Sequence, residues 1–153
     1  MCGIAGVFSY SSDIPVNRLE IKNMCNYMYS RGPDSGGEWY SKNNKIGLGH
    51  RRLSIIDLSS KASQPMTTRN NELTIVFNGE IYNYKHLRKQ MQDCGYSFIS
   101  NSDTEVLLHL YNHYGHDMVK HIRGMFAFAI WDQKKNGIFL ARDPYGIKPL
   151  YYS

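Results

Sequence analysis

Apolar positions along the chain recur with two periods, and the changes of period mark its elements. Residues 2–9, CGIAGVFS, form a short apolar run punctuated by glycine and predict a buried strand. Between Asn17 and Tyr29, the spacing of Leu19, Ile21, Met24, Tyr27 and Met28 predicts a helix with one apolar face. The stretch Ser30–Gly37 reads as a loop, because its glycines and proline break both periods. Strands are expected at Glu38–Tyr40 and Ile46–Arg51, then a polar, turn-rich stretch over 57–72. Leu73–Phe77 predicts a strand from its β-branched and aromatic residues, and Asn78-Gly79 reads as the turn that ends it. A helix follows over Tyr82–Asp93, with Leu87, Met91 and Cys94 aligned. Ser102-Asp103-Thr104-Glu105 has the form of a capping box, Ser102 as N-cap and Glu105 reaching back. The helix it opens is expected to bury Val106, Leu107, Leu110, Tyr111 and Tyr114. Met125–Trp131 and Gly137–Ala141 predict a hairpin turning at Asp132–Asn136. Strands at both ends around a helical middle point to α+β layers, and no repeat or linker divides the chain, so residues 2–153 are read as one domain.

Composition narrows the function classes. A hydrophobic share of 42% over 153 residues excludes a disordered tail and allows a sizeable core. No apolar run approaches the ~20 residues that span a membrane, and no export leader is recognisable, so a cytoplasmic protein is expected. The net charge of +5 is scattered, and its densest cluster, His50-Arg51-Arg52, is too short for a nucleic-acid footprint. Arg51 is expected to face solvent. Cys2, Cys25 and Cys94 are odd in number and lack a CxxC pair, which argues against a disulfide framework or a cysteine-based zinc site. His109 and His113 have the i,i+4 spacing of a zinc pair but no further ligands, so they read as solvated helix histidines and no metal is expected.

Cys2 has a chemistry of its own if Met1 is removed. One carbon then bears a thiol and an α-amine, and an α-amine of pKa about 7.7–8.0 can take the thiol proton near neutrality. By position alone, Cys2 reads more readily as an ordinary small hydrophobe. Six stretches change that balance: Cys2-Gly3-Ile4-Ala5-Gly6; Arg31-Gly32-Pro33-Asp34-Ser35; Gly49-His50-Arg51-Arg52 through Asp57; Phe77-Asn78-Gly79-Glu80-Ile81-Tyr82-Asn83; Ser102–Glu105; and Ala141–Tyr152. In this order they resemble the glutaminase domain of class II glutamine amidotransferases, and most of all the amino-terminal half of glutamine-dependent asparagine synthetases.

The resemblance implies a four-layer αββα sandwich of the N-terminal nucleophile hydrolase type. It implies Cys2 as nucleophile on the side-chain amide of L-glutamine, with a γ-glutamyl thioester and release of ammonia. Arg52 would grip the α-carboxylate, for which a planar guanidinium is suited. Asn78 and Gly79 would form an oxyanion hole, although as residues alone they read as a turn. Asp103 and Glu80 would hold the α-ammonium, while Asp103 also suits the first turn of a helix through the dipole. Arg31 and Asp34 would order the loop around Cys2 or merely cap a turn.

Asparagine synthetases continue into a C-terminal synthetase domain with an SGGxDS phosphate loop, and no such loop occurs here. No cofactor is therefore expected in this domain, and ATP and Mg2+ are expected only in the missing synthetase domain. The apolar ending Leu150-Tyr151-Tyr152 is expected to continue into an interface, with that domain or within a homo-oligomer. Two other readings stand beside this one. The same glutaminase could serve a sugar or other small-acid amidotransferase, or the fold could be a non-catalytic partner-binding domain.

Overall fold

Alternating apolar residues build two antiparallel sheets, and helices cover their outer faces. The computed structural model describes residues 1–10 and 14–153. The elements run β1 (Gly3–Phe8), α1 (Arg18–Tyr27), β2 (Ser35–Tyr40), β3 (Ile46–Arg52), β4 (Met66–Thr67), β5 (Leu73–Ile81), α2 (Tyr84–Asp93), α3 (Asp103–Tyr114), β6 (Gly124–Asp132) and β7 (Gly137–Arg142). One sheet has the order β1-β3-β2 and the other β4-β5-β6-β7.

Residue parity decides what each face does, because successive strand side chains point to opposite sides. Even-numbered residues of β1, β3 and β5 face the gap between the sheets. There Ile46, Leu48 and Val76 pack with Ala129 and Trp131, joined by Ile4, Phe8, Trp39 and Ile138. The Phe8 ring meets Trp131 edge-on at 5.4 Å. Odd-numbered residues face outward. On β5 these are Leu73, Ile75, Phe77 and Ile81, which pack with Leu87 and Met91 of α2 and Val106, Leu107 and Leu110 of α3. On β3 they include Gly47 and Gly49, whose bareness lets α1 lie close. A Cβ on Gly49 would meet the Cys25 sulfur, and one on Gly47 would approach Ile21 to 3.0 Å. The layers are thus α1, sheet, sheet, and α2 with α3, the αββα sandwich expected.

Several local expectations are corrected. β5 does not stop at Asn78-Gly79 but runs on to Ile81, with Asn78 opposite Ala127 and Gly79 opposite Phe126. Cross-strand pairing overrides the turn preference of the dipeptide, and Gly79 is needed because a Cβ would meet the carbonyl oxygen of Met125. Gly36 and Gly37, read as loop, belong to β2 and pair with Arg51 and His50. The short β4 inside the turn-rich stretch was not expected. In α1 the contact face is narrower than its periodicity suggests: Ile21 and Cys25 are buried, whereas Leu19 and Tyr27 are 61% and 89% exposed. Cys94, read as part of the apolar face of α2, is exposed at its C-terminus. Ser102 caps α3 by accepting from the Thr104 N–H at 3.1 Å, but Glu105 does not close the box on Ser102. Its carboxylate instead takes the Ile99 and Ser100 N–H groups and the Ser100 hydroxyl, pinning the chain that enters the helix. No helix among the described residues is long and apolar enough to cross a membrane.

Trp131 is 1% exposed at the centre of the inter-sheet layer. Trp131→Ala is expected to destabilise the protein by about 3–5 kcal/mol, as a large cavity would open between two packed sheets. Urea unfolding followed by far-UV circular dichroism checks this.

Candidate active site

The layer between the sheets is apolar at one end and polar at the other. Along β3 the inward residues read Ile46, Leu48, His50, Arg52, and along β5 they read Thr74, Val76, Asn78, Glu80. On β1, Gly3 pairs with Arg51 and Ile4 with His50, so the same register carries Cys2 opposite Arg52. The polar end opens as a pocket lined by Cys2, Arg52, Asn78, Gly79, Glu80 and Asp103 together with Asp57, Gln64, Thr104, Met125 and Lys148. Six of the expected site residues, drawn from four separate stretches of the chain, therefore meet in one cleft.

The outer edge of β5 supplies the pocket's free donor. β4 covers it only at Thr74 and Ile75, so the N–H groups of residues 77, 79 and 81 face an edge without a partner strand. Side chains fill two of these places. Gln64 Oε1 accepts from the Phe77 N–H at 2.7 Å, and Asp103 Oδ2 accepts from the Ile81 N–H at 3.1 Å. Between them the Gly79 N–H has no acceptor among the described residues. The Asn78 side chain, 4% exposed, likewise makes no hydrogen bond within the described chain. Two neutral donors are thus left available among the residues that line the cleft.

Cys2 is held from both sides. Its sulfur lies 3.4 Å from the Leu53 N–H, and Arg31 Nε donates to its carbonyl at 3.2 Å. Arg31 and Asp34 stand outside the pocket lining. Asp34 Oδ2 accepts from the Ser54 N–H at 2.8 Å, tying the 31–34 loop to the segment that follows Arg52. The Arg52 guanidinium donates to the main-chain carbonyls of Ser59, at 3.1 Å, and Asp57, and to no carboxylate among the described residues. Its remaining N–H groups are free to meet a ligand. Arg51, expected in solvent, instead stacks over the Tyr29 ring at 4.6 Å with its Nε buried.

Three contributors lie outside the sequence-derived set. His50 is fully buried, and its Nε2–H donates across the gap to the Phe77 carbonyl at 3.1 Å. Burial pushes the imidazole down to about 4, with the Arg52 charge adding to the fall and the Phe77 carbonyl opposing it, so it is neutral near pH 7. Gln64 gave no local signal, since polar residues in a turn-rich stretch are ordinarily solvated. It is buried here, and its Nε2 also donates to Thr104 Oγ1 at 3.3 Å. Lys148 sits within the Ala141–Tyr152 stretch, and its burial beside Met1 could not be read from sequence. His109 is not solvated either: it packs at 4.5 Å against Phe98 and 5.0 Å against Tyr96. Among the described residues no group of three or more His, Cys, Asp or Glu is placed to hold a metal ion.

A family model described as a glutamine amidotransferase domain matches residues 1–153. The chain belongs to that family. It is 46% identical over its whole length to asparagine synthetase [glutamine-hydrolyzing] 1 of Bacillus subtilis (strain 168), covering 24% of that protein. It is 40% identical, again over its whole length, to Amidase chry2 of Gibberella zeae, covering 24% of it. This amidotransferase domain therefore spans about a quarter of these curated relatives. The solved structure of glutamine phosphoribosylpyrophosphate amidotransferase from B. subtilis, 21% identical, superposes on 95% of the chain and 38% of that structure's chain with a TM-score of 0.74, and shows the same fold.

Electrostatics in the amidotransferase pocket centre on Asp103. Burial pushes its carboxyl up to about 6, against hydrogen bonds from the N–H groups of Ile81, Asp103 and Thr104, and the Glu80 charge adds to the rise. Two residues along the helix Glu105 behaves oppositely. Burial would raise it, but the Ser100 hydroxyl and the Ser100 and Ile99 N–H groups it accepts from, with the His109 ring nitrogen 3.8 Å away, outweigh that and leave it at about 2. Since the unfolded Asp103 titrates near 3.8, the empty domain gains least from folding above pH 6, where the buried carboxylate is charged. Asp103→Asn is expected to stabilise the unliganded protein by roughly 1–3 kcal/mol at pH 8, the gain fading between pH 6 and pH 4 and vanishing below it. Denaturant unfolding at a series of pH values measures this, and an equal effect at pH 4 and pH 8 would contradict it.

Proposed function

We propose that this domain hydrolyses the side-chain amide of L-glutamine through Cys2 as an amino-terminal nucleophile. The observation that carries the reading is the pair of unengaged donors, the Asn78 amide and the Gly79 N–H, in the same cleft as the Cys2 sulfur. With Cys2 at the terminus, its α-amine takes the thiol proton and the sulfur attacks the amide carbon. The carbonyl oxygen gains charge, and donors already aimed at it stabilise that charge without reorganising, an effect worth about 10²–10³ in rate per donor. Collapse of the tetrahedral species returns the proton to the departing nitrogen as ammonia, and water then cleaves the γ-glutamyl thioester.

The substrate's fixed end finds complementary charges. Arg52 offers a planar donor set to the α-carboxylate, and Asp103 with Glu80 faces the α-ammonium. Asp103 must be ionised to do this, so the cost of its buried charge is relieved when the ammonium arrives. Arg31 and Asp34 act at one remove, by fixing the Cys2 carbonyl and the strand end beside it.

The ammonia would serve an acceptor domain outside this chain, of the asparagine-synthetase type, and ATP and Mg2+ would act there. A second reading pairs the same glutaminase with a sugar or other small-acid acceptor, and it is supported by the similarity to Amidase chry2, which is not named a synthetase and stands near the synthetases in identity. The acceptor does not alter the chemistry assigned to this domain.

Cys2→Ala is expected to abolish ammonia release from glutamine with an unchanged circular dichroism spectrum. A chain that retains Met1 should also be nearly inactive, because its Cys2 nitrogen is an amide and Met1 itself lines the pocket. Ammonia release matched to intact mass checks both, and parental activity in either form would refute the mechanism. Arg52→Lys should raise the KM for glutamine about tenfold or more while kcat changes less than about threefold, since the charge stays and the fork is lost. Steady-state kinetics separate the two parameters.

A further inference from the structure

A buried lysine without an acidic partner stands beside the nucleophile. Lys148 is 4% exposed and lines the pocket with Cys2. Its Nζ donates to the Met1 sulfur at 2.7 Å, and a thioether is a weak acceptor. Among the described residues no carboxylate forms an ion pair with it. The turn that carries it is firmly built. Asp143 accepts from the N–H groups of Phe126, Ile147 and Lys148 at 3.2, 2.9 and 3.0 Å. Arg142 donates to the carbonyls of Lys148 and Gly146 at 2.9 and 2.7 Å. A lone buried cation is costly, and among the described residues no carboxylate around Nζ offsets that cost.

We infer that Lys148 sets the charge at the mature amino terminus: with Met1 gone, its ammonium faces the Cys2 α-amine and keeps that amine neutral. This rests on the reading of Cys2 as nucleophile and base. The neutral amine takes the thiol proton while sulfur bonds to the amide carbon. The same proton passes to the departing nitrogen as the C–N bond breaks, so the amine ends neutral. Lys148 is thus a positioning residue that acts through the amine.

The other charged groups around the amine are Arg52, Asp57, Glu80 and Asp103 in the pocket, and Arg31 on the Cys2 carbonyl. The Asp57 carboxylate is engaged by the N–H groups of Ser59 and Asn101 at 2.9 and 2.7 Å. With glutamine bound, Arg52 is paired with its carboxylate, and Asp103 and Glu80 with its ammonium. Lys148 and Arg31 remain as the cations the amine feels, and a like charge disfavours its protonated form.

The test compares the protein bearing Cys2 at its terminus with Lys148→Met and Lys148→Arg, following kcat at saturating glutamine, which reports the bound state, from about pH 5.5 to about pH 9. Lys148→Met is expected to move the acid limb up by roughly one pH unit, an activity loss of about tenfold on the acid side and little on the alkaline side. Lys148→Arg should keep the parental profile. A Lys148→Met profile that is unshifted, or lowered evenly at every pH, overturns the inference. Should that variant not fold, the parental protein decides. The nitrogen-15 shift of its terminal amine should titrate below the ordinary range of about 7.7–8.0, and a midpoint within or above that range overturns the inference. A parental protein that releases no ammonia would refute the glutaminase reading, and the amine titration would still test the role of Lys148.

Discussion

Every second N–H of a strand points to the same edge and needs an acceptor there, and β5 meets that need with a partner strand along only part of one edge. β4 is two residues long, so beyond it the edge is completed by Gln64 and Asp103. This substitution of side chains for a strand shapes the site. A longer β4 would have satisfied the Gly79 N–H and closed the cleft. The same two side chains tie the edge to other parts of the chain, Gln64 through Thr104 and Asp103 through the first turn of α3. The free donor is therefore framed by groups that are themselves fixed.

The second determinant is the change of character along the inter-sheet gap. Its apolar end is tightly filled, and its polar end begins at His50, which spans the gap to the Phe77 carbonyl. A neutral imidazole suits this place, since it supplies one donor and brings no charge into the interior. Beyond it come Arg52 and the acids, where the gap opens enough for charged groups to meet a ligand. Core and cleft are thus one layer, with polarity assigned by position along the strands.

Most of the architecture is legible locally. The strand from Leu73 and the α3 residues Val106, Leu107 and Leu110 are buried as their patterns indicate, and Ser102 caps the helix. The misreadings share a cause: a tertiary contact outweighed a local preference. Asn78-Gly79 favours a turn in isolation, yet pairing with Ala127 and Phe126 extends the strand through it. Leu19 and Tyr27 fit a helical face, but a sheet surface made of Gly47 and Gly49 contacts only the stripe of Ile21 and Cys25. The pocket residues drawn from motif resemblance do gather in one place. Gln64 and Lys148 escaped because burying a polar side chain depends on neighbours distant in sequence, and no short pattern records it.

The division of β5 by parity has a bearing on error. Leu73, Ile75, Phe77 and Ile81 belong to the helix-side core, while Asn78 and Glu80 share the opposite face with Val76. Sliding the strand by one residue would turn Asn78 and Glu80 into the hydrophobic layer and expose the core residues to the cleft. The apolar residues thus act as a reading frame for the polar ones. A misregistered site could not persist as a slightly altered cleft, because the fault that displaced its donors would also dismantle the core.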